Sequence, residues 1–175
     1  MLTSDMTTAL LLIDVQRNMF APPQPVANAE TVSAAIAALL ARARAAGAPV
    51  VHVRNNGDDE QDPDFPGTEG WELAYEVRAG EPVVDKTVCD SFEGTDLAAL
   101  LPADAALVVA GMQTDWCIRA TTLAALQRGH RVTLAAGAHS TLPDDRTVPA
   151  IITAVEQELA KAGAEVVPAG SITFG

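Results

Sequence analysis

The 175-residue chain contains few cysteines, few aromatic residues and few basic residues. Two cysteines cannot build a disulfide framework, and reduced thiols are typical of the cytoplasm. The 11 basic residues form no cluster and are outnumbered by 23 acidic residues, giving a net charge of −12, which argues against nucleic acid or an anionic membrane as a partner. No apolar run is long enough for a membrane span or a signal peptide, and the first residues are not basic, so we expect a cytoplasmic protein.

Apolar residues are abundant, at 49% of the chain, and most of them are alanine, valine and leucine. This composition is typical of helices with small side chains packed on a parallel sheet. The length suits one domain with a sizeable core, and no linker or internal repeat divides the chain. We therefore expect a single domain over residues 1–175.

Strand and helix patterns alternate along the sequence. Short apolar runs predict strands over residues 8–15, 49–54, 83–85, 105–110, 131–136 and 165–167. Helical spacing or capping residues predict helices over 32–43, 95–101, 114–128 and 148–159, with Gly47, Gly129 and Gly163 as stops. Repeated strand–helix units predict an α/β fold with three α-β-α layers and a parallel sheet, whose strand order periodicity leaves open. Residues 55–81 are rich in Gly, Pro and Asp and predict an active-site loop or lid.

The segment 111–121 (GMQTDWCIRAT) is the most informative part of the sequence. It follows the apolar run 105–110 and opens a helical pattern, which places Cys117 in the first turn of a helix. Backbone N–H groups without partners and the positive end of the helix dipole favour the thiolate, which is the reactive nucleophile. The alternative is that Cys117 is a small buried core residue.

Two further ionisable residues end predicted strands. Asp14 follows an apolar run, and a carboxylate buried there needs a charge partner. The alternative is that Asp14 is a turn residue or the cap of a following helix. Lys86 ends the short segment 82–86, although most lysines are simply exposed. Together with Cys117 they place an acid, a base and a thiol at the carboxyl ends of three strands, the edge at which open α/β sheets bind ligands.

These segments resemble the isochorismatase-like cysteine hydrolases, which include the nicotinamidases and N-carbamoylsarcosine amidohydrolase. The resemblance covers nearly the whole chain and rests on residues 12–16 (LIDVQ) with Phe20, on Lys86 followed by 91–97 (SFEGTDL), and on 111–121. It implies six strands in the Rossmann-like order 3-2-1-4-5-6 and a catalytic triad of Asp14, Lys86 and Cys117. It also implies a cis Met112–Gln113 peptide bond, and commonly a homodimer or homotetramer.

The resemblance implies hydrolysis of a C–N bond in a small amide or ureido compound through a Cys117 thioester. The backbone N–H groups of Gln113 and Cys117 would form the oxyanion hole. Relatives that hydrolyse the vinyl ether of isochorismate lack the cysteine, so that activity is a weaker alternative, as is a non-catalytic binding protein. We expect no cofactor, and the three histidines show no metal-ligand spacing, so we expect no metal.

Three aromatic residues are candidates for substrate binding. Trp116 directly precedes Cys117, and the resemblance places Phe20 and Trp71 near the pocket, although both would also serve as core anchors. The second thiol, Cys89, is expected to be inert. Gly137 stands where relatives often have Asp, a change that leaves the triad intact.

Overall fold

The computed structural model describes residues 6–175. Six parallel strands form one sheet in the order β3-β2-β1-β4-β5-β6, as the family resemblance implied. The strands are β1 (Thr8–Ile13), β2 (Val50–Asn55), β3 (Val83–Lys86), β4 (Ala106–Met112), β5 (Val132–Ser140) and β6 (Glu165–Pro168). The winding reverses between β1 and β4, and this reversal opens a crevice at the carboxyl edge of the sheet.

Four helices and three short helical turns connect the strands. The helices are α1 (Ala29–Ala45), α2 (Leu97–Leu100), α3 (Arg119–Gln127) and α4 (Val148–Ala162). The turns are Arg17–Met19, Thr114–Ile118 and Ala169–Ser171. Gly163 ends α4 at φ +114°, and the Thr147 hydroxyl accepts a hydrogen bond from the Ala150 amide at its start. Both capping residues follow ordinary helix-end chemistry.

The core lies on both faces of the sheet, which confirms the three-layer prediction. In β1, residues 9–13 are all buried because helices cover both sides of this central strand. The helix α1 packs on one face through Ile36, Leu39 and Leu40. The helices α2, α3 and α4 contribute to the cluster on the other face, for example through Leu97, Ala125 and Ile151.

Three predicted strand ends were wrong: the fourth strand runs to Met112 rather than to residue 110, and backbone geometry explains the other two. The first strand stops at Ile13 because Asp14 has a left-handed backbone, with φ +50°, which turns the chain out of the sheet. The fifth strand continues four residues beyond Ala136, because Gly137, at φ +83°, permits an irregularity in its pairing with β4. Gly137 is exposed.

The predicted helix over 114–128 is present, but neither Thr114 nor Asp115 caps it. Residues 114–118 form a wide turn before α3, and Gln113 precedes this turn without a side-chain capping bond. None of the helices in residues 6–175 is both long enough and apolar enough to cross a membrane.

Candidate active site

Three side chains from distant parts of the sequence lie in contact at the carboxyl edge of the sheet. The Lys86 ammonium is 3.0 Å from Oδ2 of Asp14 and donates a hydrogen bond of 3.2 Å to Sγ of Cys117. The Lys86 side chain is fully shielded from solvent, and the Asp14 side chain is 2% exposed. Asp14 and Lys86 therefore form a buried ion pair against a thiol.

The strand register brings these residues together. Ile13 pairs with Gly111 across β1 and β4, so Asp14 leaves the sheet beside the segment that leads to Cys117. A Cβ atom on Gly111 would collide with the carbonyl oxygen of Ile13, which explains why this strand end requires glycine. Lys86 is the last residue of β3 and points into the crevice from the other side of β1.

Burial and charge set the protonation behaviour of these three side chains. Burial raises the pKa of the Asp14 carboxyl, against the lowering effect of the Lys86 ammonium. Burial lowers the pKa of Lys86, but the interactions with Asp14 and Cys117 outweigh it, and the net direction is upward. Lys86 is therefore a permanent cation at neutral pH.

The resting state of Cys117 differs from the expectation of a favoured thiolate. Burial and the carboxylate of Asp14 raise the pKa of the Cys117 thiol, and together they exceed the lowering effect of Lys86. The free protein consequently holds a thiol, which becomes a nucleophile when a base accepts its proton.

Asp14 has an oxygen available for that proton. Its Oδ2 atom faces Lys86, whereas its Oδ1 atom is buried and accepts no hydrogen bond from any group in residues 6–175. The carboxylate lies close enough to Cys117 to raise the pKa of its thiol. A buried carboxylate oxygen without a partner is costly, which makes Oδ1 a strong acceptor.

The wide turn around Cys117 shapes its backbone amide. The carbonyl of Gln113 accepts hydrogen bonds from the amides of Trp116 and Ile118, both at 3.1 Å, but not from the Cys117 amide between them. Wide turns of this kind are frequent at functional sites. The Met112–Gln113 peptide bond is cis, as the family resemblance implied.

Asn55 belongs to the site although the sequence placed no role on it. Its Oδ1 atom accepts a hydrogen bond of 3.0 Å from Lys86, and its Nδ2 atom donates one of 2.7 Å to Oδ2 of Asp64. The Gln16 side chain clamps the Asn55 backbone through two further bonds, of 3.0 and 2.9 Å. A usable signal was present, because Asn55 ends β2 at the same sheet edge as Lys86 ends β3.

Further buried side chains hold the segment around Cys117 in place. The Thr141 hydroxyl contacts Oε1 of Gln113 at 3.1 Å and Oδ1 of Asp115 at 2.6 Å. Thr114 and Nδ1 of His139 share a hydrogen bond of 2.8 Å. The strand predicted from the sequence over residues 131–136 ended before His139 and Thr141, so these contacts could not be foreseen.

A second clamp connects α3 to the segment after Lys86. The Thr121 hydroxyl accepts a bond of 3.0 Å from the Ser91 amide, contacts the Ser91 hydroxyl at 2.8 Å and donates to the carbonyl of Cys89 at 3.2 Å. Ser91 and Thr121 are both fully buried. This clamp fixes the distance between the strand end that carries Lys86 and the helix that follows Cys117.

Asp14 and Cys117 open onto a cleft of about 370 Å³. Met19, Val88 and Trp116 contribute its apolar wall, and Trp116 is 60% exposed. Cys89, which was expected to be inert, lines the same cleft.

Phe20 and Trp71, the other two aromatic candidates, are not among the lining residues. Phe20 packs against the core on the α1 face of the sheet. Trp71 lies under the guanidinium of Arg54, 3.5 Å from the ring centre, and its indole N–H donates to Asn56. These contacts give both residues structural roles in the described fold.

The segment 55–81, predicted as a lid, forms one wall of the cleft through Asn55 and Asp64.

Within residues 6–175, no three His, Cys, Asp or Glu side chains are grouped in a way that would hold a metal ion.

The family model of the isochorismatase domain matches residues 8–169. The chain belongs to the isochorismatase family. The family resemblance stated from the sequence is thereby confirmed.

Named relatives of the chain include hydrolases. A streptothricin hydrolase of Streptomyces noursei is 42% identical over 95% of this chain, which spans 64% of that protein's length. A maleamate amidohydrolase of Pseudomonas putida is 33% identical, with 70% of this chain and 67% of that protein covered. A solved structure of an isochorismatase-family hydrolase from Oleispira antarctica superposes with a TM-score of 0.88, at 34% identity and 97% coverage of both chains.

Proposed function

We propose that the protein hydrolyses a C–N bond in a small amide-type compound, with Cys117 as the nucleophile, Asp14 as the general acid and base, and Lys86 as the charge that holds both. The observation that carries this proposal is the contact of the Lys86 ammonium with Asp14, at 3.0 Å, and with the Cys117 sulfur, at 3.2 Å. Two relatives that are named as hydrolases of amide-type compounds, the streptothricin and maleamate enzymes, support the reaction class.

The first half of the reaction begins with transfer of the thiol proton from Cys117 to Oδ1 of Asp14. The sulfur attacks the carbonyl carbon, and the resulting oxyanion accepts hydrogen bonds from the amides of Gln113 and Cys117. The C–N bond then breaks as Asp14 returns the proton to the leaving nitrogen. The products of this half are a free amine or ammonia and a thioester on Cys117.

The second half reverses the proton path. A water molecule gives a proton to Asp14 and attacks the thioester carbonyl, and the same two amides again stabilise the oxyanion. The carbon–sulfur bond breaks, and the sulfur recovers its proton from Asp14. Lys86 keeps its charge throughout, since removing a positive charge beside a carboxylate and a forming thiolate would cost free energy in every step.

The test is a screen of small amides, with streptothricin and maleamate included as probes suggested by the names of similar proteins. Ammonia release reports primary amides, and a mass gain of one water reports cyclic ones. We expect turnover that Cys117→Ala abolishes while the circular dichroism spectrum is unchanged. Cys89→Ser is the matched control, because it removes the other thiol of the same cleft.

Turnover that survives in Cys117→Ala would contradict the assignment of the nucleophile. Hydrolysis of isochorismate, without action on any amide, would contradict the reaction class.

A further inference from the structure

The charges that line the cleft do not cancel. Asp14 is neutralised by Lys86, which lies behind it. Asp64 also lines the cleft, and no lysine, arginine or histidine in residues 6–175 forms an ion pair with its carboxylate. No arginine or lysine side chain lines the opening within that part of the chain. The cleft therefore carries one excess negative charge.

The carboxylate of Asp64 is held in place rather than free to turn to solvent. Its Oδ2 atom accepts the 2.7 Å bond from Nδ2 of Asn55, and its Oδ1 atom lies so close to Gly57 that a Cβ there would collide with it. Asp64 is half-buried. A partly desolvated, fixed carboxylate attracts a cation more strongly than a mobile surface carboxylate does.

Asp64 is also close to the reacting atoms along a short chain of contacts. It bonds to Asn55, Asn55 accepts from Lys86, and Lys86 touches the Cys117 sulfur. A cleft of about 370 Å³ has room for a small molecule that reaches from the sulfur to Asp64. The exposed face of Trp116 at the same opening is a second favourable surface for a cation.

We propose that Asp64 determines substrate specificity, and that the substrate is a small amide that carries an ammonium or guanidinium group. Asp64 binds this cationic group while the amide carbonyl lies beside Cys117. This inference rests on the proposed function and deepens it. An amide with a carboxylate in the same place meets Asp64 with a charge of the same sign and is rejected.

A positioning role of Asp64 through Asn55 can be separated from a charge role. Asp64→Asn keeps an oxygen that accepts the Asn55 bond but removes the charge, whereas Asp64→Leu removes both. Glu60→Gln is the matched control, because it removes one negative charge from an exposed position of the same loop.

The first experiment measures the charge preference at Cys117 without any substrate. In a Cys89→Ser background, Cys117 is modified with two methanethiosulfonates of similar size, one carrying a trimethylammonium group and one a sulfonate. The ratio of the two rate constants cancels the reactivity of the thiol, and dividing it by the same ratio for free 2-mercaptoethanol cancels the intrinsic difference between the two reagents. We expect this normalised ratio to favour the cationic reagent at least about tenfold, since tenfold corresponds to a modest interaction with one charge.

Asp64→Asn should reduce this ratio about tenfold, whereas Glu60→Gln should change it less than about twofold. A ratio near one in the parent protein, or a ratio that Asp64→Asn leaves unchanged, would overturn the proposal. An equal effect of Glu60→Gln would show that the overall charge of the chain, not Asp64, causes the preference, and would overturn it too.

The second experiment measures ammonia release from β-alaninamide, butyramide and succinamate, which have similar length and carry a positive charge, none and a negative charge. The proposal predicts kcat/KM in that order and loss of the order in Asp64→Asn. Hydrolysis without a charge preference would overturn this inference and leave the proposed function standing. If no amide is hydrolysed, but reagent selectivity depends on Asp64, the proposed function fails while the cation preference of the cleft holds.

Discussion

Replacing Lys86 with methionine provides a quantitative test of the buried ion pair. The substitution keeps the apolar length of the side chain and removes its charge. It leaves Asp14, with a side chain 2% exposed, as a buried carboxylate whose partner at 3.0 Å is gone. Coulomb attraction at this distance is about 5.5 kcal/mol at an effective dielectric constant of 20. Measured losses for breaking buried pairs are about 3–5 kcal/mol.

We therefore expect Lys86→Met to lower the free energy of unfolding by about 3–5 kcal/mol at pH 7, measured by urea denaturation with an unchanged m-value. Without Lys86, the remaining effect of burial raises the pKa of Asp14 further above its ordinary value of 3.8. A carboxyl with a raised folded-state pKa destabilises the fold when it is ionised. The loss should therefore shrink as the pH falls and Asp14 becomes protonated.

The double variant Asp14→Asn with Lys86→Met is the matched control. It replaces the ion pair by two neutral groups of similar volume, and such replacements are often close to neutral in stability. We expect it to recover most of the lost stability but no turnover. A single variant within about 1 kcal/mol of the parent protein, or a double variant no more stable than the single one, would refute the buried-pair account.

Three further predictions follow from the described geometry. Burial and the negative charge of Asp14 raise the pKa of the Cys117 thiol, and Asp14→Asn removes the charge. Alkylation of Cys117 by iodoacetamide at pH 7 should therefore become about tenfold faster, while amide turnover falls at least about a hundredfold. Slower alkylation would contradict this. The Arg44 guanidinium donates hydrogen bonds of 2.7 and 2.8 Å to the Glu81 carboxylate and lowers the pKa of Glu81 from 4.5 to about 2. The stabilisation by this ion pair is therefore complete above pH 4.5 and is lost as the pH falls towards 2. Glu81→Gln should lower the free energy of unfolding by about 2 kcal/mol at neutral pH and by little near pH 2. A loss that does not depend on pH would argue against the ion pair of Glu81 with Arg44. Gly111→Ala should prevent folding, because its methyl group would collide with a carbonyl oxygen of the neighbouring strand. Gly137→Ala has open space around the added methyl group, so it should lower the free energy of unfolding, measured by thermal denaturation, by only about 1 kcal/mol.

The parts of the fold that depend on short stretches of sequence could be predicted well. The apolar run 9–13 needs burial on both faces, which only a central strand of a covered sheet supplies. Gly163 ended α4 where its left-handed conformation was expected. The strand order required the family resemblance, because hydrophobic patterns show that a segment is a strand but not which strand is its neighbour.

The parts that depend on contacts between distant residues could not be predicted. The hydrogen bonds from Lys86 to Asn55 and from Asn55 to Asp64 exist only once β2 and β3 pair. The protonation of Cys117 was misjudged for the same reason. A local view of the helix start favours the thiolate, whereas burial and the facing carboxylate of Asp14 raise the thiol pKa.

The central claim is that the sulfur of Cys117 takes the acyl group of the substrate. It is tested most directly with p-nitrophenyl acetate, by following the release of p-nitrophenolate in the first turnover and mapping the acid-quenched protein by mass spectrometry. We predict a burst equal to the enzyme concentration and a single acetyl group on the peptide that contains Cys117, with both absent in Cys117→Ala. An acetyl group on another residue, or a burst of the same size in Cys117→Ala, would contradict the claim.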